Sequence, residues 1–176
     1  MRTTQEGKGV EEATWPRPES HPAATQHVRE MAANLVLSRA LTILGGACGM
    51  VVYRDAGGRW NSDGLGLPGQ PDRLEELTPV FEALLEWSLY TEKPVVVGDL
   101  TKSPWSRHLM QGSDPPTGSV AATPIAQRGT IWGAIAVYRV DAVTESMEVM
   151  RQLTDVATEP LSALGSGRPE GVAPQV

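Results

Sequence analysis

The side chains that could do chemistry in this chain are few and scattered. Cys48 is the only cysteine, and a catalytic thiol needs a partner base or a second cysteine. Neither accompanies Cys48, which lies among glycines beside an apolar run, so we expect a buried thiol that packs as a small hydrophobic residue. The histidines His21, His27 and His108 do not form a metal-binding pair. We therefore predict neither enzyme activity nor a metal site.

One segment has the glycine spacing of a dinucleotide-binding loop. Gly64-Leu-Gly66-Leu-Pro-Gly69 fits the letters of that motif. The motif needs a helix that opens at its end, so that backbone N–H groups meet the pyrophosphate. Pro68 and Pro71 oppose such a helix, so the sequence favours a flexible loop without a phosphate role.

Length and charge restrict the classes of partner. The 176 residues suit one domain, and the net charge of −6 comes without any block of Lys or Arg. That balance argues against nucleic acid and against an anionic membrane surface. The N-terminus lacks the apolar core of a signal peptide and no run is long enough to span a bilayer, so we expect a cytoplasmic protein.

Composition divides the chain into a central domain and two tails. Residues 1–20 and 166–176 hold glycine, proline and charge without apolar periodicity, and we predict that both are disordered. The domain is predicted over residues 21–165. Its first elements are predicted as a helix from Val28 to Leu44, a strand over Met50–Arg54, a return strand starting at Arg59 and a loop over 62–72. A helix from Thr78 to Tyr90, a buried strand over Pro94–Asp99 and a lid-like loop over Leu100–Thr117 follow. Two strands and a helix starting at Thr144, which Pro160 kinks or shortens, complete the domain.

The two strands before the last helix give the clearest pattern. Ser119–Ile125 and Ile131–Tyr138 are apolar runs joined by a turn that contains Gly129. The second run is apolar on both alternating faces, with Ile135 and Val137 on one and Trp132 and Tyr138 on the other. Such a strand is predicted to be central and covered on both sides.

This pattern resembles the GAF domain family. The best local matches are Ala47–Asp55, Lys93–Leu100 and Val120–Arg139, within a similar order of elements over roughly residues 25 to 165. The resemblance implies an α+β fold, with a central antiparallel sheet, the N- and C-terminal helices on one face, and a ligand pocket under the long loop on the other. It also implies a small-molecule sensor.

The resemblance places six candidate ligand-binding residues. Asp99, Ser119 and Thr123 lie at or near strand ends that would face the pocket, and Trp105 and His108 lie in the long loop. Trp132 suits both the core and a pocket for a planar ligand. His108 is open to three interpretations, namely a solvated residue, a hydrogen-bonding group or a haem ligand, so the cofactor is unknown.

Three activities of the family lack their residues here. Bilin attachment needs a cysteine near His108, reduction of methionine sulfoxide uses several cysteines, and one mode of cyclic-nucleotide binding uses an Asn-Lys pair. The sequence therefore predicts a sensory domain that signals through a separate partner. The alternative is a ligand-free scaffold for dimerisation or protein interaction. In either case we expect a homodimer through the terminal helices, whose apolar faces carry Met31, Met147 and Met150.

Overall fold

The computed structural model describes residues 22–55, 57–66, 71–110, 114–127, 129–144 and 146–158. The tails predicted at 1–20 and 166–176 lie outside these residues, as do the ends of the predicted domain. The elements in chain order are α1 (Pro22–Leu44), β1 (Cys48–Arg54), β2 (Trp60–Gly66), α2 (Pro71–Thr91), β3 (Val95–Val97), α3 (Pro104–Leu109), β4 (Ser119–Gln127), β5 (Thr130–Arg139) and α4 (Ser146–Thr158).

The strands form one antiparallel sheet with the order β2-β1-β5-β4-β3. β5 is central, paired with β1 on one side and β4 on the other, and its residues from Trp132 to Tyr138 are buried. This confirms the prediction from its two apolar faces. β3 and β2 are the edge strands of the described sheet.

Helices cover both faces of the sheet. α1 and α4 pack on one face around Leu37, Ile135 and Leu153, and α2 packs on the other around Phe81 and Ala136. At Gly49 an added Cβ would come 2.6 Å from the backbone oxygen of Ala136, so β1 and β5 approach closely only because this residue is glycine. The predicted α+β fold class, with the terminal helices on one face, is confirmed.

The segment between β1 and α2 differs from the sequence prediction. The loop predicted over 62–72 is wrong, because β2 continues to Gly66 and α2 begins at Pro71. The helix start predicted at Thr78 is wrong for the same reason, and Pro79 lies inside α2. Because Pro79 has no backbone N–H, the Glu75 carbonyl four residues earlier has no helical donor. Both residues are exposed, so water can donate to that carbonyl.

The later elements also have revised bounds. The predicted long loop over Leu100–Thr117 contains α3, β3 is shorter than predicted and only half-buried, and the last helix begins at Ser146. Pro160 lies outside the described residues. Within the described chain, no helix has both the length and the apolar character that crossing a membrane requires.

Candidate functional site

A cleft of about 530 Å³ opens between α2 and the edge strand β3. The residues that α2 gives to its wall recur at helical spacing along one face. They are Ala83, Leu84, Glu86, Trp87 and Tyr90. Volumes of this size suit a small-molecule ligand.

β3 supplies the floor of the cleft. Successive strand residues point to opposite faces of a sheet, and Val95 and Val97 both point toward α2, whereas Val96 packs against the α1 and α4 side. Ser103 closes one end of the cleft. It is the N-cap residue of α3, and its Oγ accepts a hydrogen bond from the Ser106 backbone N at 3.3 Å.

The turn that connects α2 to β3 sets the width of the cleft. Glu92 follows the last residue of the helix with a φ of 57°, a left-handed conformation that reverses the chain direction. The fully buried Ser88 hydroxyl donates to the Lys93 carbonyl at 2.9 Å. This bond ties the turn to the body of α2, so the two walls are held at a fixed spacing.

Asp99 belongs to the turn between β3 and α3. Its carboxylate accepts hydrogen bonds from the Thr101 hydroxyl at 2.6 Å and the Thr101 backbone N at 3.0 Å, and it pairs with the Lys102 ammonium at 3.0 Å. These bonds lower the pKa of Asp99 to about 2, and the hydrogen bond from the Thr101 hydroxyl has the largest effect. The carboxylate therefore orders the chain next to Ser103 and does not line the cleft.

Ser119 and Thr123 lie on the opposite side of the sheet from the cleft. Alternation along β4 groups them with Ala121 and Ile125, which pack against α1 and α4. Ser119 Oγ donates to the Asp141 carbonyl at 2.9 Å, and the Thr123 hydroxyl lies 3.5 Å from that of Thr154 in α4. The structure therefore does not bring these two residues together with the α2 wall.

Trp132 also faces α1 and α4, where it is buried. The sequence pattern placed it with Ala134 and Tyr138, but the register between β4 and β5 shifts at Ile125 and Ala126. A shift of this kind leaves one residue of a strand without an opposite partner and breaks the simple alternation of faces. The indole N–H of Trp132 has no hydrogen-bond partner among the described residues.

Trp105 and His108 both lie in α3. His108 is exposed, and the Trp105 side chain lies outside the part that the structure describes. His108 is not among the described residues that line the cleft. No group of three or more His, Cys, Asp or Glu side chains that could hold a metal ion occurs in the described ranges.

Cys48 is buried under α2 at the start of β1. Burial raises the pKa of its thiol to about 11, against a smaller lowering by Arg73. The thiol is therefore protonated at neutral pH, and the thiolate is the nucleophilic form. This surrounding suits a packing role.

Sequence reasoning missed the two residues that most shape the cleft. Neither Trp87 nor Tyr90 belongs to the apolar face that faces the core along α2, and neither forms part of a recognisable motif. The signal was the spacing of Ala83, Glu86, Trp87 and Tyr90, which places a second, partly aromatic face on α2 beside the one in the core.

A family model described as GAF domain matches residues 27–161. Among solved structures, a domain of a protein named as a two-component sensor histidine kinase from Sinorhizobium meliloti 1021 has 14% identity and a TM-score of 0.53, covering 80% of this chain and 93% of that one. The GAF domain of cyanobacteriochrome TePixJ has 12% identity and a TM-score of 0.51, and the match covers 73% of this chain and 84% of that one. At such identities the likeness is one of fold. No curated protein matches the sequence at a significant level.

Proposed function

This chain belongs to the GAF domain family, and from that premise we propose that it is a sensory domain that binds a small molecule in the cleft between α2 and β3 and signals through a separate protein. The observation that carries the proposal is the cleft itself. It combines about 530 Å³ of space with a mainly apolar lining and a few polar groups, namely the Glu86 carboxylate, the Trp87 indole N–H, the Tyr90 hydroxyl and the Ser103 hydroxyl. Apolar walls with a few polar groups that fix orientation are typical of ligand sites.

Ser103 connects the cleft to the turn that leads into α3. Ser103 caps α3, and Asp99 orders the turn before it. A ligand that contacts Ser103 would change the balance between bonded and open forms of this turn, since ligands shift populations through differential contacts. Binding without a chemical step is the function that this arrangement supports, because the Cys48 thiol is buried and protonated and Asp99 is fully engaged.

Native mass spectrometry of freshly purified protein, with a visible absorption spectrum, tests the proposal. We expect an added ligand mass on the wild-type protein, and its loss in Trp87→Ala. Trp60→Ala is the matched control, because Trp60 is 47% exposed and Trp87 is 45% exposed, but only Trp87 lines the cleft. Ligand retained equally by both variants would place the site elsewhere, and a wild-type protein without ligand would favour the scaffold.

The scaffold function is the second candidate, and the outer face of α1 supports it. Val28, Met31 and Leu35 lie at helical spacing and are 55%, 58% and 50% exposed. A groove of about 430 Å³ runs beside them. Contiguous exposed apolar residues mark interaction surfaces, so we propose a homodimer through α1, with Met147 at the exposed start of α4 as a neighbouring apolar residue.

A further inference from the structure

The charge of the cleft lining is one-sided. Its one ionisable acid is Glu86, and no Lys, Arg or His is among its described lining residues. The positive side chains closest along the chain to Ser103 already have acceptors. Lys102 pairs with Asp99 at 3.0 Å, and an Arg107 N–H donates to the Thr101 carbonyl at 3.3 Å. Lys93, in the turn between α2 and β3, is exposed and does not line the cleft. An anionic ligand would therefore meet the Glu86 carboxylate with no described cationic side chain in the cleft lining.

The aromatic side chains of the cleft favour the same sign of charge. Trp87 and Tyr90 lie one helical turn apart, and the two residues are 45% and 87% exposed, so a ligand can reach their side chains. The face of an aromatic ring is negative, and it attracts ammonium groups, most strongly for Trp. Tyr90 lies four residues after Glu86 and three after Trp87 on α2, so its side chain neighbours both of theirs on one helix face, and all three line the cleft.

The floor sets the second requirement on the ligand. Val95 and Val97 present apolar side chains, and Leu84 and Ala83 continue this surface along α2. A small hydrated cation would leave this surface uncovered, whereas an ammonium group that carries a hydrocarbon body would cover it and remove apolar area from water. Building on the proposed ligand-binding function, we propose that the cleft selects apolar organic cations, with the ammonium group held by Glu86, Trp87 and Tyr90 and the body packed on Val95 and Val97.

A set of three probes of similar size and different charge tests this inference. Benzyltrimethylammonium is the cation, neopentylbenzene is its neutral isostere, and phenylmethanesulfonate is the anion. Titration of the full chain, followed by NMR and calorimetry, is expected to show the cation binding at least about fivefold more tightly than the neutral isostere, with the anion weakest. Added salt is expected to weaken binding of the cation and leave that of the neutral isostere unchanged.

Charge-neutral variants assign the effect to the cleft. Glu86→Gln is expected to lower affinity for the cation by about three- to tenfold and to leave affinity for the neutral isostere unchanged. Glu82→Gln is the matched control, since Glu82 is an exposed acid on α2 outside the cleft lining. Trp87→Leu is expected to weaken binding of the cation more than binding of the neutral isostere.

The outcomes separate this inference from the function on which it rests. Equal or tighter binding of the neutral isostere, with dependence on Trp87, overturns the cation preference and supports the ligand-binding cleft. An unchanged cation affinity in Glu86→Gln also overturns it. If no probe binds, the inference fails, and retention of a native ligand decides the proposed function independently.

Discussion

Surroundings decide the chemistry of two strongly perturbed side chains, Cys48 and Asp99. Burial raises the pKa of the Cys48 thiol to about 11, and hydrogen bonds from Thr101 with the Lys102 pair lower the pKa of Asp99 to about 2. One group is held protonated and the other ionised across the neutral range. Neither is poised to exchange a proton near neutral pH, which general acid–base catalysis requires.

The Cys48 thiol makes a testable contribution to stability at high pH. Its pKa is raised from 9.0 in an exposed thiol to about 11 in the folded chain, so the folded state keeps the proton after the unfolded chain has lost it. The contribution is therefore fully present below pH 9 and is lost as the pH rises through about 11. Urea denaturation at a series of pH values is expected to show a steeper alkaline loss of stability in wild type than in Cys48→Ala.

Comparison with Cys48→Ala isolates this thiol from other groups. Tyr53 and Tyr138 also have raised pKa values because of burial, and both remain in the variant. The contribution of Tyr53 to the alkaline slope is therefore common to the two proteins, whereas that of Tyr138 is smaller in the variant, because the charge of Cys48 helps to raise the Tyr138 pKa. Parallel stability curves for wild type and Cys48→Ala would show that the thiol is not desolvated.

At the scale of elements, the sequence predicts those whose apolar pattern is local. The hairpin of β4 and β5 and the helix α1 follow directly from alternation and from helical spacing. The return strand predicted from Arg59 is β2, but its continuation to Gly66 was missed. Ser62, Asp63 and Gly64 have low strand propensity, and the segment is extended through pairing with β1. The start of α2 was missed because Thr78-Pro79 is a strong helix-start signal that tertiary packing overrides here.

The end of α2 gives a prediction on stability. Glu92 has a φ of 57°, and this left-handed conformation is strained for a residue with a Cβ but not for glycine. We predict that Glu92→Gly raises the free energy of unfolding by about 0.5–1 kcal/mol in urea denaturation. Glu82→Gly is the control, because an exposed glycine inside a helix is expected to lower it by about 1 kcal/mol. If both variants lost the same free energy of unfolding, the result would contradict the strain at Glu92.

At the scale of the whole molecule, the layers were predictable and the cleft was not. The resemblance to the GAF family implies that α1 and α4 share one side of the sheet, as the structure confirms. A register shift within the β4–β5 hairpin determines which side of the sheet Trp132 faces, and no residue pattern in the sequence predicts that shift. The cleft wall, in turn, includes Glu86 and Trp87 of α2, which lie outside the apolar pattern of the core face, and it becomes a site only because β3 returns beside them.

The outer face of α1 leads to the prediction on assembly. If Val28, Met31 and Leu35 form the dimer interface, a carboxylate at its centre would be buried without a partner, which is costly. We expect wild type to be a dimer in size-exclusion chromatography with light scattering, and Leu35→Glu to be a monomer. Val140→Glu is the matched control, because Val140 is 53% exposed, close to the 50% of Leu35, but lies after β5 and is not part of α1. Circular dichroism checks that each variant is folded. A monomeric wild type, or a folded Leu35→Glu that stays dimeric, would refute assembly through α1, whereas loss of the dimer in both variants would place the interface beyond that helix.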